Sequence, residues 1–406
     1  MKRRNIINEY LSQLDINPND PIPIDAIKIN AFINCCGIGI DHKLDNTLAY
    51  MDEWRTGHIG LSMNFGIEVG LDLRTVAFLE WIGSIEEIPV GLTYDGEEWI
   101  LTIYGKRLMK VNIIPPPSWY NEEVKPGIRK NTVFQYELGN LMGTVPTINK
   151  RQDCIYFYSK MKPCKFCSLE QKEKNILPED YARVASDAYQ EKNTTVTLTG
   201  GNTGDINRGV ELYIEYVQAI RDKLPHIPIE IEASPPTDLD LFDQLKEAGL
   251  TSYNSNFEVF DENKRKEICP SKAQMIPRED YWRAYEYSRK LGLCTYGALI
   301  VGLDSDQSLL KGVEYLAQLG VMTNPLPFKP LKGAVFANKP PLSPLRFMNV
   351  SWHAVKIMRK FHVEPHKQRT GGCGLCGGCS MEVNIDRNYS RIESYMKNYS
   401  ISDGGG

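Results

Sequence analysis

Long hydrophobic stretches are missing from this chain: no apolar run approaches the roughly 20 residues that span a bilayer, so no membrane partner is expected. An excess of one charge is missing too. Lys and Arg number 47 against 51 Asp and Glu, a formal net charge of −4, which leaves no electrostatic case for nucleic acid or an anionic membrane surface. Histidine is scarce, with six in the chain and none between Pro117 and Lys223. The opening MKRRNIINEYLSQLDINPND is basic but holds no apolar signal core, so secretion is not expected. Neither an internal repeat nor a long low-complexity stretch occurs. What is present is length: 406 residues can bury a large core, enough for two or three domains or one barrel with extensions.

Cysteine is the informative residue. Of ten cysteines, six fall in two tight trios, which is how metal ligands cluster and not how disulfide frameworks are spread; a reducing, cytoplasmic setting is expected. Cys154, Cys164 and Cys167 are spaced C-x9-C-x2-C within DCIYFYSKMKPCKFCSLE. Three thiolates fill three corners of a cubane [4Fe–4S] cluster and leave one iron with no protein ligand, which suits a catalyst better than an electron wire. A structural zinc would want a fourth Cys or His, and the histidine gap offers none nearby. The second trio, Cys373, Cys376 and Cys379, lies in GGCGLCGGCSM, where five glycines interleave a C-x2-C-x2-C run. Such a flexible loop can fold three thiolates around a second Fe–S cluster, as in ferredoxin-type ligation; zinc with a distant fourth ligand, His366 or Cys269, is the rival. Cys294 reads as a small core residue, and Cys35, Cys36 and Cys269 have no assigned role. His353 and His362 lie near the second trio, whereas His42, His58 and His226 stand alone and read as surface residues.

Patterning divides the chain in three. Residues 1–120 read as helical up to about 40 and then strand-rich, with Asp95-Gly96 a hairpin turn signal; this is an N-terminal cap. Residues 150–342 alternate strand and helix. Strands are expected at 154–158, 194–200, 227–234, 251–259, 294–303 and 321–328, with helices at about 178–191, 207–223, 238–248, 277–292 and 305–319. That alternation predicts an α/β fold, a partial (β/α)6 TIM-type barrel with right-handed crossovers, whose active site gathers at the carboxyl ends of the strands. Residues 343–406 form a C-terminal extension, a helix at about 343–361 followed by the cysteine-rich tail.

Several strand ends carry polar or glycine signals. Gly200 and Gly201 close TLTGGNTGD, where absence of a Cβ allows a ligand to approach backbone, although such a pair is also an ordinary turn. In IEIEASPP, Glu230 and Glu232 share one strand face. A carboxylate aimed into an apolar barrel is costly unless it binds something, so Glu232, nearer the strand end, is a candidate for a cofactor or substrate contact; a solvated strand end is the other reading. In SYNSNFEVFDENKRKEICPSK, Asn254, Asn256 and Glu258 occupy alternate positions and so share one face of an extended strand.

The trio followed by a β/α chain resembles the radical S-adenosylmethionine (radical SAM) superfamily, in which the open iron binds the amino and carboxylate groups of the methionine moiety. The first gap is longer than the three residues of the commonest pattern. Phe166 matches the aromatic position beside the adenine. Gly200, Gly201 and Asn202 match a Gly-Gly-Glu-like element that receives the SAM amino group, with Asn202 replacing the acid and leaving backbone carbonyls as the surer ligands. YNSNFE resembles the YNxNLD segment of biotin synthase, which places Asn256 and Glu258 at the SAM ribose. CTYGALIVGLDSD resembles its GGIVGLGE segment, making Ala298 to Gly302, centred on Ile300, the adenine wall. One of Lys264, Arg265 and Lys272 could meet the SAM carboxylate, surface solvation being the plainer reading of each.

The resemblance implies reductive cleavage of SAM to a 5′-deoxyadenosyl radical that abstracts hydrogen from a small-molecule or carrier-bound substrate, with an external electron donor such as flavodoxin or ferredoxin. The second trio and the biotin-synthase-like core suggest a following sulfur insertion, as in biotin or split lipoyl synthases, the latter with a partner protein. Radical rearrangement, carbon–carbon coupling or peptide modification, with the second cluster as electron acceptor or substrate anchor, is the alternative. A zinc-binding scaffold is the non-enzymatic one. No Rossmann-like cobalamin module is appended.

Overall fold

From Asn140 onward, short runs rich in β-branched residues alternate with amphipathic helices, and these strands pair in sequence order. The computed structural model describes residues 2–19, 22–40, 58–64, 72–78, 82–84, 87–113, 117–147, 151–158, 160–168, 172–173, 176–189, 195–367 and 371–397. His42, Pro115, Pro116 and the terminal SDGGG lie outside them. We label the six parallel strands β1 (Asn140–Thr144), β2 (Thr195–Thr199), β3 (Ile229–Glu232), β4 (Ser252–Asn254), β5 (Cys294–Val301) and β6 (Met322–Pro327). Each pairs in parallel with the next. An antiparallel strand, Gln135–Glu137, completes a seven-stranded sheet outside β1. Among the described residues no pairing joins β6 to β1, so the barrel is partial.

Helices Pro178–Tyr189, Leu212–Lys223, Asp240–Glu247, Arg278–Lys290, Asp306–Gln318 and Pro344–Lys360 follow the strands. The last shows why they form. Pro344 presets φ at the first turn, Ser343 accepts a hydrogen bond from the Arg346 amide at 3.5 Å, and Phe347, Met348, Ser351, Trp352, Val355 and Met358 recur at helical spacing on the buried face. Each large apolar side chain so buried contributes about 1.5–3 kcal/mol of transfer free energy.

One strand lies elsewhere than the sequence suggests. The expected first strand at 154–158 is a short 3₁₀ turn, Ile155–Phe157, and the barrel begins at β1. The run Ile-Tyr-Phe-Tyr has strand composition, but the Phe157 and Tyr158 amides bond back to the Cys154 and Ile155 carbonyls and close a turn. The first cysteine trio is thereby carried by the loop after β1, still at the carboxyl end of the sheet.

The N-terminal region builds a second seven-stranded, mixed sheet, in the order Asp72–Phe78, His58–Asn64, Lys106–Ile113, Trp99–Ile103, Val90–Tyr94, Ile38–Ile40, Ile82–Ser84. Asp95 turns its hairpin by accepting from the Glu97 and Glu98 amides at 3.1 and 2.9 Å, with Gly96 at φ 108°. Helix Pro23–Cys36 is buried all round and packs against both this sheet and helix Pro344–Lys360. At the other side, Lys125 pairs with Asp180 at 2.5 Å and Arg183 donates to the Val124 carbonyl at 2.7 Å. The N-terminal layer therefore touches the last outer helix of the open barrel, while the separate two-stranded sheet of Glu123–Lys125 and Ile128–Arg129 touches the first. No described helix is long and apolar enough to cross a membrane.

Candidate active site at the carboxyl end of the barrel

The loop after β1 delivers Cys154 to the end of β2. The Asn202 amide points at the Cys154 sulfur at 3.4 Å, and the Ile155 amide donates to the Asn202 carbonyl at 2.8 Å. Gly201 makes this possible: a Cβ there would overlap the Asp153 carbonyl and the Cys154 Cα. At Gly200 a Cβ would come within 2.8 Å of Thr147 and of the Tyr213 hydroxyl. Asn202 itself is buried; its Oδ1 accepts from the Gly204 amide at 2.8 Å, and its Nδ2 lies 3.5 Å from the Ser234 hydroxyl. Burial pushes the Cys154 thiol up, while backbone donors at Tyr156 and Asn202 pull it partly back.

Cys164 and Cys167 sit on a tight turn, the Cys167 amide donating to the Cys164 carbonyl at 3.0 Å. This turn is stitched to the helices after β4: the Lys165 amide donates to the Ile268 carbonyl at 2.9 Å and the Lys162 amide to Ser271 Oγ at 2.7 Å. Cys269 is thereby placed against Cys164, and a hydrogen bond between the thiols, then burial, raises the Cys164 pKa well above the usual thiol range. Sequence reasoning offered Cys269 as a distant ligand for the second trio; it neighbours the first. The other suggestion, His366, has its Nδ1 2.5 Å from Asp386, which also pairs with Arg359 at 2.5 Å. Phe166 packs against an apolar cluster that holds Ile300 with Val259, Ile268, Leu303 and Phe328.

Beyond Asn254 the strand breaks. Glu258 has φ 63°, a region uncommon for a residue with a Cβ, so Asn254, Asn256 and Glu258 do not line one strand face as alternation suggests. Chain reversal still gathers the last two. Asn256 Nδ2 donates to Glu232 at 2.5 Å and its Oδ1 accepts from the Ala298 amide at 3.1 Å. Lys272 Nζ reaches Glu258 Oε1 at 2.6 Å and the Asn256 carbonyl at 3.0 Å. Burial acts most strongly against the Lys272 charge, but Glu258 together with Tyr281 and Cys164 outweighs it, and the ammonium is held well above its usual range. Glu232 is pushed up by burial, with Asn256 partly offsetting. Lys272 is thus a buried partner of the carboxylates rather than a solvated lysine. Lys264 lies on the surface beside Glu267, at 3.3 Å, and Arg265 is buried over the Phe257 ring at 4.7 Å.

The second trio enters the same barrel from the other end. The Gly372 amide donates to Thr195 Oγ1 at 3.2 Å, and the Cys373 amide lies 3.1 Å from Thr197 Oγ1 and 3.2 Å from Glu230 Oε1. Thr195 and Thr197 belong to the first half of β2, and Glu230 to the middle of β3. Gly372, at φ 67°, leaves room for Glu230; a Cβ would overlap its carboxylate. Burial, then the charges of Glu230 and Glu232, raise the Cys373 thiol well above its usual range. Cys376 and Cys379 pack beside Leu138. Among the described residues no three His, Cys, Asp or Glu side chains converge on one point as a single metal ion requires.

The residues at the carboxyl end fit an Fe–S cluster with SAM beside it: three thiols on one loop, a glycine-cleared backbone, an apolar wall and a polar pocket of Glu232, Asn256, Glu258 and Lys272. Residues 160–316 match the model of the Radical SAM superfamily. A bacteriochlorophyllide c C-7(1)-hydroxylase of Chlorobaculum limnaeum is 31% identical over 157 residues, 36% of this chain and 39% of that protein. The chain thus spans about two fifths of the length of this curated relative. Among solved structures, a methylornithine synthase is similar over 54% of this chain and 62% of its own, at 16% identity and a TM-score of 0.40. The coproporphyrinogen III oxidase of Escherichia coli, described as a radical SAM enzyme, is similar over 49% and 50%, at 16% identity and a TM-score of 0.35. The family match falls across the cysteine turn and β2 to β5, and residues 160–316 are identified as a radical SAM domain.

Proposed function

We propose that the protein is an enzyme that reductively cleaves SAM at a [4Fe–4S] cluster held by Cys154, Cys164 and Cys167 and abstracts hydrogen from a substrate bound inside the barrel. The observation that carries this reading is convergence: a surface-facing cysteine turn, Gly201, Glu232, Asn256, Glu258 and Ile300 come from five separate segments to one strand-end site. When bound, cluster and SAM supply the electron and the 5′-deoxyadenosyl radical; the chain supplies orientation and exclusion of water. Gly200, Gly201 and Asn202 present backbone to the SAM amino group, Asn256 and Glu258 offer acceptors and a donor to the ribose, and Phe166 with Ile300 sandwiches the adenine. Lys272 places a buried ammonium beside Glu258 and the Asn256 carbonyl and fixes both in the pocket. Formation of 5′-deoxyadenosine by the anaerobically reconstituted, reduced protein is the test, and its absence would reject the reading.

The finer reading assigns the second trio to a second Fe–S cluster on the barrel floor, with sulfur insertion into a C–H bond as the second step. It is supported by the placement of Cys373 on Thr197 and Glu230, side chains of the barrel interior, so that substrate would lie between the two trios. Cys373→Ala should abolish product sulfur while SAM cleavage continues. A second reading, oxidation of a C–H bond with oxygen as the incoming atom, is favoured by the likeness to a hydroxylase. Isotopic sulfur and oxygen labels in the product separate the two.

A further inference from the structure

We infer that the part of the substrate entering the barrel presents a nitrogen-borne hydrogen-bond donor, cationic or neutral, and no carboxylate or phosphate; this rests on the function proposed above. The inward face of the sheet follows from what packs outside it. Tyr253 meets Phe242 of helix Asp240–Glu247 edge-on, ring centres 4.7 Å apart, and a Cβ at Gly312 of helix Asp306–Gln318 would lie 2.9 Å from the Leu299 side chain. Side chains alternate along a strand, so the neighbours Asn254 and Ala298 face the interior. In the parallel register Glu232 is the Cα partner of Asn254, and Asn324 that of Ala298. Asn254, Asn324 and Glu232 therefore look into one space, below the strand-end site.

Carried across the six described strands by the same register, the inward face holds two charged residues, Glu230 and Glu232, and no Lys, Arg or His. Glu232 accepts from Asn256, a neutral donor. The buried cations Lys272 and Arg208 are committed to Glu258 and Asp280, each at 2.6 Å. Acids alone do not make a site; the two amides do. Asn254 is 3% exposed and Asn324 6%, and each keeps a buried Oδ1 with no hydrogen-bond partner among the described residues. An unmet buried acceptor is costly, and a ligand donor removes that cost. Either amide can turn to present its nitrogen, so the amides set where the ligand binds and the carboxylates set its sign. An N–H group, above all an ammonium, gains charge-assisted hydrogen bonds there. A carboxylate or phosphate would meet like charge in a water-poor interior.

The test compares four probes with one hexyl or hexanoyl chain on the reconstituted holoenzyme: hexylamine, N-hexylacetamide, hexanoate and hexyl phosphate. Binding is read by calorimetry in the presence of SAM, and 5′-deoxyadenosine formation is read separately. The expected result is that hexylamine or N-hexylacetamide binds about 10–100-fold more tightly than either anion. Hexylamine ahead identifies an ammonium, N-hexylacetamide ahead a neutral amide. Asn254→Leu combined with Asn324→Leu should erase the preference at an unchanged iron count, and Asn324→Lys should shift it toward hexanoate. Equal binding of all four, binding of none, tighter binding of an anion, or an unchanged preference in these variants would overturn the inference and leave the function intact. Failure of the wild type to form 5′-deoxyadenosine would overturn the function and the inference with it. Should the leucine pair fail to fold, the wild-type ranking and Asn324→Lys decide in the same way.

Discussion

The two cysteine trios occupy opposite ends of one half-barrel, each with one buried and two half-buried cysteines, and differ in the segments that carry them and the side chains they touch. The first is carried on a lysine-rich turn at the strand ends, with the sulfur of the buried Cys154 receiving a backbone amide. The second is carried by a glycine-rich segment, pressed against Thr197 and the fully buried Glu230 in the first half of the strands. One lies at the carboxyl end of the strands, beside Asn202. The other lies against an acidic side chain of β3, Glu230. Both approaches depend on glycine, Gly201 against the Asp153 carbonyl and Gly372 against the Glu230 carboxylate.

The sharpest way to break this contrast is to remove one sulfur from each end. Cys154→Ala should abolish 5′-deoxyadenosine formation outright, whereas Cys373→Ala should leave it running and change only the product; loss in both, followed by chromatography of the reaction mixture, would merge the two roles. Lys272→Met comes next, because it leaves Glu258 as an uncompensated buried charge. A cost of about 3–5 kcal/mol is expected, read as a lowered denaturant midpoint, and a near-neutral result would mean the pair is solvated. Gly201→Ala and Gly372→Ala should each cost about 1–3 kcal/mol through overpacking, with separable consequences: iron lost from the outer site in the first and from the inner site in the second. Asn256→Ala, of similar size, strips Glu232 and the Ala298 amide of a partner at about 1–3 kcal/mol and should weaken SAM binding by equilibrium dialysis more than it weakens the fold.

Much of this was legible in the sequence. Strands β2, β3, β5 and β6 and the outer helices stand within a few residues of where periodicity places them, since each combines a β-branched run or an amphipathic face with a glycine or proline boundary. Two elements resisted. Asn140–Thr144 holds Gly143, whose bare Cα admits the Phe134 and Tyr181 rings, so the strand that opens the barrel looks weaker than the aromatic run after Cys154. The segment Ser255–Glu258 reads as strand by alternation, yet its positive φ at Glu258 is set by tertiary bonds to Ala298 and Ile300 that no local pattern encodes. For the same reason Lys272 and Cys269 were obscure. Their importance arises from helices folding back onto the cysteine turn, a contact between residues about a hundred positions apart.

The central claim is that two separate clusters share one barrel, and iron counting tests it most directly. Anaerobically reconstituted wild type should hold about eight irons and as many sulfides, falling to about four when all three cysteines of either trio become alanine. A wild-type count near four that vanishes with one trio and survives loss of the other would contradict it.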